Sequence, residues 1–309
     1  MGLSKQKPAR RIPQAVQAVR ILLRPQNRGP VLAATVLAAA LAGALYAWQR
    51  WGEPGLSSAE YLVTPDKILA TPQPVWIRAD VKADVVRTAN LAERNLRDPR
   101  LVEEVAAAFA LHPWVAAVSR VEKRYPARIE VALEYRRPVA VVEISGAGEA
   151  GLLFIDAGGV LLPSEDFAPG QTKDYLRIAA GGETPAGIYG TASWSERILG
   201  AARIAAAWEG AEDRGQGTGD RGQGTGDSGS KLWQKLGLYR IVPVQSSAGG
   251  VTYELRTERD ARVLWGSAPG SEAPGEPPPE QKIAKLQHLV ADKGPLDREG
   301  ASSPVDLRR

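Results

Sequence analysis

The chain has 309 residues, 44% of them apolar and 24% charged, which is a globular composition with room for two modest domains of about 150 residues each. It contains no Cys and only two His, His112 and His288. Disulfides, thiolate metal sites and thiol nucleophiles are therefore excluded, and a multi-histidine metal centre or a histidine relay has almost no raw material. The net charge of +4 is uneven: Lys5, Lys7, Arg10, Arg11, Arg20, Arg24 and Arg28 stand in the first 28 residues without one acid. The other 32 basic residues face 35 acids, so the rest of the chain offers nucleic acid no concentrated basic footprint.

After this basic tail (1–28) comes GPVLAATVLAAALAGALYAWQ, residues 29–49, with no Asp, Glu, Lys or Arg. Its apolar part, Val31 to Trp48, is at the short end of the length a helix needs to cross hydrocarbon. Tyr46, Trp48 and Trp51 gather at its far end, where amphipathic rings prefer the interface. The positive-inside rule puts the tail in the cytoplasm and everything after about Arg50 outside. A signal peptide cut after Ala42-Gly43-Ala44 is the competing reading, although the basic region is long for one.

Residues 50–72 mix Pro, Gly and Ser without a period and read as a stalk. From Pro74, the alternation of Val75, Ile77, Ala79 and Val81 predicts a strand. Asp84 is expected to cap a helix through about Arg97, and Asp98-Pro99 to open a second one, striped by Leu101, Val105 and Phe109 and ended by Pro113. Val115 to Lys123, the turn Tyr125-Pro126-Ala127 and the alternating Ile129, Val131, Leu133 and Tyr135 predict a hairpin. Strand, two helices and hairpin make an α+β unit with helices on one face of a three-stranded sheet.

Further on, strands are expected at 152–156 and 160–163 around Ala157-Gly158-Gly159, and at 174–180. Ser193-Trp194-Ser195-Glu196 reads as a capping box opening a helix that Gly210 stops. More strands are expected at 238–244, 251–256, 261–265 and 304–308, with a helix over 280–290. Two stretches read as connections: 211–230, where the heptad DRGQGTG occurs twice, as a flexible Gly-rich insertion, and the Pro-rich 267–279 as a stiff, polar spacer.

These phrases carry a resemblance. His112-Pro113-Trp114-Val115, Val121 to Val131 with Tyr125-Pro126, and Tyr135-Arg136-Arg137-Pro138-Val139-Ala140 resemble the POTRA domain of FtsQ/DivIB-type bacterial cell-division proteins. Asp156 to Val160, Val263 to Gly266 and Val305-Asp306-Leu307-Arg308 are similar to that family's later hairpin, strand end and closing phrase. The resemblance implies an α+β chain with a single N-terminal transmembrane helix, a POTRA domain (73–145) and a mixed antiparallel β domain with flanking helices (146–309). Pro113, Trp114, Val115, Tyr125, Pro126, Arg137 and Pro138 would be its structural signature.

It further implies a non-catalytic scaffold without cofactor, metal or small-molecule substrate, recruited to the septum through the POTRA unit. Its closing strand, Val305 to Arg308, would pair with small division proteins of the FtsB/FtsL kind. A POTRA-bearing envelope chaperone or export component is the alternative, and a hydrolase comes third. The bland readings of single residues agree with the scaffold. Glu103 and Glu104 diverge by about 100° on a helix and do not form an acid/base pair. Asp156 before two glycines reads as a turn residue, and the Gly-rich repeat lacks the Gly-Lys-Ser/Thr of a phosphate loop.

Overall fold

The structure is a computed structural model describing residues 28–52, 61–125, 127–146, 149–192, 194–215, 231–246, 249–298 and 303–309. The chain divides into two compact units, 1–62 and 63–309. In the first, helix α1 (Arg28–Ala47) is built of Ala, Leu and Val and runs on into a short π-helical stretch, Trp48–Gly52. Leu32–Arg50 is long and apolar enough to cross a membrane by length and composition, and none of it is buried. Residues 1–27 of the basic tail lie outside the described residues, as do residues 53–60 of the expected stalk.

The second unit begins with β1 (Leu62–Val63) and β2 (Ile68–Ala70). Helix α2 (Val81–Thr88), β3 (Arg94–Asn95), helix α3 (Leu101–Ala110) and the hairpin β4 (Val115–Arg124) and β5 (Arg128–Tyr135) follow. The order β2-β5-β4 makes a three-stranded sheet in which β2 runs parallel and β4 antiparallel to β5. Val85, Val105 and Phe109 of the helices pack with Ile68, Ile129, Val131 and Leu133 of the sheet in one core. Burying each such side chain stabilises the fold by roughly 1.5–3 kcal/mol relative to exposure.

This layer differs from expectation in its first half. The strand expected at 75–81 is coil, and the strand that joins the sheet, Ile68–Ala70, comes from the expected stalk. Gln73 explains the coil: its side-chain amide donates to the carbonyls of Ile77 (2.8 Å) and Ala79 (2.6 Å), folding the segment back on itself. Asp80, rather than Asp84, caps α2, accepting the Ala83 N–H at 2.9 Å. The helix ends at Thr88 because Asn90 and Glu93 take positive φ (48° and 60°), a region helices cannot use. Asp98 accepts the Arg100 N–H at 2.9 Å ahead of α3, and Pro126 lies outside the described residues.

The rest of the unit is a seven-stranded sheet ordered β12-β11-β10-β9-β8-β6-β7. Its strands are β6 (Pro138–Gly146), β7 (Glu149–Asp156), β8 (Leu176–Ala179), β9 (Leu238–Gln245), β10 (Val251–Thr257), β11 (Arg262–Gly266) and β12 (Val305–Asp306). The sheet is mixed, since β6–β8, β8–β9 and β11–β12 are parallel pairs. Helices α4 (Glu196–Gly215), α5 (Leu232–Lys235) and α6 (Pro279–Lys293) contribute to the core on one face, where Ile198, Ala202, Trp208, Ile283 and Leu286 meet Val142, Ile178, Ile241, Leu255 and Val263. The protein is thus mixed α and β with mixed sheets.

Several boundaries move for identifiable reasons. β6, expected inside the unit 73–145, belongs to the large sheet: Ala140 and Val142 face the helices while Val141 faces the other way. The strand expected at 160–163 is reduced to isolated bridges, Val160 with Ala192 and Leu161 with Ile155. Ser193 lies outside the described residues, and the Ser195 hydroxyl bonds Glu183 at 2.8 Å instead of capping α4. That helix passes Gly210 to Gly215, held by Glu209, which takes ion pairs from Arg137 (3.3 Å) and Lys231 (2.6 Å). The DRGQGTG repeat from residue 216 on lies outside the described residues.

The two cores meet. Val141, Phe154, Leu162, Phe167 and Tyr175 from the sheet side belong to the same buried cluster as the helices and hairpin of the βααββ layer. Phe154 stacks on Phe167 with ring centroids 3.5 Å apart, and Trp114 lies 5.7 Å from Phe167. The Trp114 indole N–H donates to Asp166 at 2.5 Å.

Candidate docking edge

A sheet offers a partner strand its outermost backbone groups, and the two larger sheets end in four edge strands, β12 and β7 in one and β2 and β4 in the other. The chain end Val305–Arg308 forms the first. Val305 pairs with Val263, Asp306 with Leu264, and the Leu307 N–H donates to the Leu264 carbonyl at 3.0 Å. Leu307 is fully buried and fixes the strand to the core, while Val305 is half-buried. The expected alternation holds, with Asp306 and Arg308 displaying their backbone groups to the outer side.

That outer side is already occupied within the chain. Lys285 of α6 donates its Nζ to the Asp306 carbonyl at 3.1 Å, and the Arg308 N–H donates to Asp306 Oδ1 at 2.9 Å. The guanidinium of Arg308 also grips Asp306, Nε to Oδ1 at 3.0 Å and Nη2 to Oδ2 at 2.7 Å. This bidentate pair holds the Asp306 carboxyl down at about 2. The expectation of a free edge with Arg308 open to a partner carboxylate is thus corrected: the edge is two residues long and capped by its own side chains. A groove of 440 Å³ runs beside it, lined by Leu289, Lys293, Leu296, Pro304 and Val305 among others.

Behind the edge sits a buried ion pair. Lys282 of α6 is 1% exposed and bonds Glu276 Oε1 at 2.6 Å, with its ammonium 4.9 Å from the centre of the Trp265 ring. Glu276 also accepts the N–H groups of Ser267 (2.7 Å) and Ala273 (2.9 Å). Burial alone would raise its pKa, but these hydrogen bonds outweigh it and hold the carboxyl below its ordinary value. The segment 267–278, most of the stiff, polar spacer expected at 267–279, is pinned between β11 and α6. Gly266, at φ +97°, makes room: a Cβ there would lie 2.0 Å from Glu276 Oε1 and 2.9 Å from Arg308 Cγ.

The other edges are built differently. The end of β7 is covered where the Leu162 N–H donates to the Phe154 carbonyl (2.9 Å). β4 is ten residues long, with register shifts between Val115 and Ala117 and between Val118 and Arg120, the kind of irregularity that discourages strand addition.

The signature residues scatter by role. Trp114 and Val115 are buried, Pro113 precedes them, and Tyr125 is exposed. Arg137 reaches α4, bonding Asp213 at 2.6 Å, and Pro138 opens β6. Asp156 is a turn residue, accepting the N–H groups of Gly158 (2.9 Å) and Val160 (2.8 Å) and pairing with Arg136 at 2.8 Å. Lys282, Lys285, Glu276 and Gly266 were not legible as parts of this site; the only signal was an acid and two lysines flanking a helix start. Searches against protein-family models and against curated proteins found no match to this chain.

Proposed function

We propose that the chain is a membrane-anchored, non-catalytic adaptor of the bacterial division machinery, of the FtsQ/DivIB type that its phrases resemble. In this reading α1 spans the inner membrane with the N-terminus cytoplasmic, residues 73–145 correspond to the POTRA domain, and β12 is the docking strand for small proteins of the FtsB/FtsL kind. The observation that carries it is the construction of the β12 edge. Leu307 holds the strand in register, Asp306 and Arg308 stand on its outer side, and the groove beside it can take a partner's apolar side chains. Docking by strand addition then requires the partner to replace the bonds that Lys285 and Asp306 make now.

The test is co-purification from dividing cells with mid-cell imaging. Wild type is expected at mid-cell with division proteins attached, and truncation before Pro304 or Arg308→Glu is expected to lose them. Asp306→Ala, which uncaps both the Arg308 backbone and its guanidinium, is expected to capture more. Uniform envelope staining with unchanged capture in all three would sink the reading.

A further inference from the structure

We propose that the helix-free face of the seven-stranded sheet is a second docking surface, which takes an acidic amphipathic helix of a partner protein laid across the strands. It uses the face of the sheet rather than its β12 edge and does not rest on the reading above. Its basis is a row of four arginines. Arg177 of β8 stands opposite Arg240 of β9, Arg240 opposite Arg256 of β10, and Arg256 opposite Arg262 of β11. Their chain neighbours Ile178, Ile241, Leu255 and Val263 are buried against the helices, so alternation turns all four arginines to the other face. Next in the same row is Val141 of β6, which packs in the core of the βααββ layer; the arginines begin where that cover stops. The register between β9 and β10 slips beyond Arg256, leaving Tyr239 as the extra residue of a bulge. Its ring lies 4.7 Å from the Arg177 guanidinium and 5.7 Å from that of Arg240, contacts that help to hold both cations in the row.

The row keeps donors to spare. Glu143 serves both Arg177 (3.1 Å) and Arg240 (2.9 Å), Glu254 serves both Arg256 (3.1 Å) and Arg262, and Asp260 adds one bond to Arg256 (2.9 Å). Four guanidiniums thus share three carboxylates. Arg177 Nη2, Arg240 Nη1 and Arg262 Nη1 have no protein partner among the described residues. The Glu254 side chain lies beneath its partners, 7% exposed against 29% for Arg256 and 49% for Arg262, so solvent meets the cations first. Beside the row on the same face, Val242, Val244 and Leu264 are half-buried and pack in neither buried cluster. An apolar strip next to a cationic row is complementary to a helix that carries acids along one border of its apolar stripe. The arginines, one per strand, span roughly 14 Å at the usual strand spacing, a length that about ten helical residues cover. Acids three or four apart on a helix stand about 5–6 Å from one another, nearly in step with the strands, whereas alternate residues of an extended chain stand about 7 Å apart and fall out of step. Carboxylates so spaced meet successive guanidiniums, whose fork geometry suits them.

The probe is a synthetic helical peptide with a leucine stripe bordered by glutamates three and four apart, carrying a dye for anisotropy and a photo-reactive group for mapping. It is added to the full chain in phosphatidylcholine nanodiscs. Binding is expected, weakening as salt rises, with photo-adducts around Val242, Val244 and Leu264. A glutamine version of the probe should bind about tenfold more weakly, since several exposed ion pairs are lost together. Arg240→Gln and Arg262→Gln each leave the facing glutamate one arginine, so both are expected to fold, which near-ultraviolet circular dichroism checks, and each to weaken the probe by about twofold to fivefold. No binding, equal binding of the two probes, or undiminished binding by the folded double variant would overturn the proposal. Adducts confined to 289–306 would overturn it too, by placing the probe in the groove beside β12. Polyglutamate binding as tightly as the probe would show that charge alone is recognised and reject the helix. The mapping and the comparison of probes use the wild-type chain, so they decide the matter even where a variant does not fold.

Discussion

Lys282 has surrendered nearly all its hydration, and Glu276 and the face of Trp265 compensate it. Breaking such a pair from one side leaves a bare buried charge and costs about 3–5 kcal/mol, whereas replacing both partners with apolar groups can be close to neutral. Glu276→Ala is therefore expected to lower the urea midpoint sharply, and Glu276→Leu with Lys282→Met to recover most of the loss. Acid should act on the same group. Because folding depresses the carboxyls of Glu276 and Asp306, the unfolded chain binds protons first. Their stabilisation is complete above the unfolded pKa values near 4 and is lost as pH falls toward the folded ones, about 2 for Asp306. Urea midpoints measured from pH 6 down to 2.5 should fall, and those of the double apolar variant should fall less.

At the scale of the element, the tightest approach is Gly200 on α4. A Cβ there would lie 1.9 Å from the Tyr253 hydroxyl and 3.0 Å from Ala268 Cβ, and that hydroxyl donates to the Arg197 carbonyl at 3.2 Å. Alanine in a helix normally gains about 1 kcal/mol over glycine; here Gly200→Ala is expected to lower the melting temperature instead. Val131→Asp, placing a charge at a position 3% exposed, is expected to abolish cooperative melting of the full chain.

The contrast shows what a sequence carries. The hairpin 115–135 was legible because its second strand alternates over eight residues behind the turn signal Tyr125-Pro126. β2 was not, because three residues behind a Pro show no period. Apolar spacing at Ala89, Ala92 and Leu96 extended the expected first helix past Thr88, while the turn at Asn90 and Glu93 that ends it has no strong signature. The strand expected at 304–308 forms only at 305–306, and the cap from Lys285 depends on where a side chain lands about twenty residues away in sequence.

At the scale of the whole molecule, Trp114, Phe154, Phe167 and Tyr175 join what the sequence presented as two domains. A fragment limited to 61–137 would lose Asp166, the hydrogen-bond partner of the Trp114 indole, and the Phe167 ring beside it. It is expected to be expanded and to melt without cooperativity by near-ultraviolet circular dichroism, and two independent transitions in the full chain would refute the shared core. Deleting 216–229 should leave the melting temperature nearly unchanged, since shortening a long loop alters closure entropy only slightly.

Because those aromatic rings join the βααββ layer and the seven-stranded sheet in one buried cluster, the two are expected to turn as one body. A rotation imposed at Val63 must turn the strand at Val305 through the same angle. A pull or twist applied to one end is then delivered to the other as displacement, without being spent on stretching a linker between them.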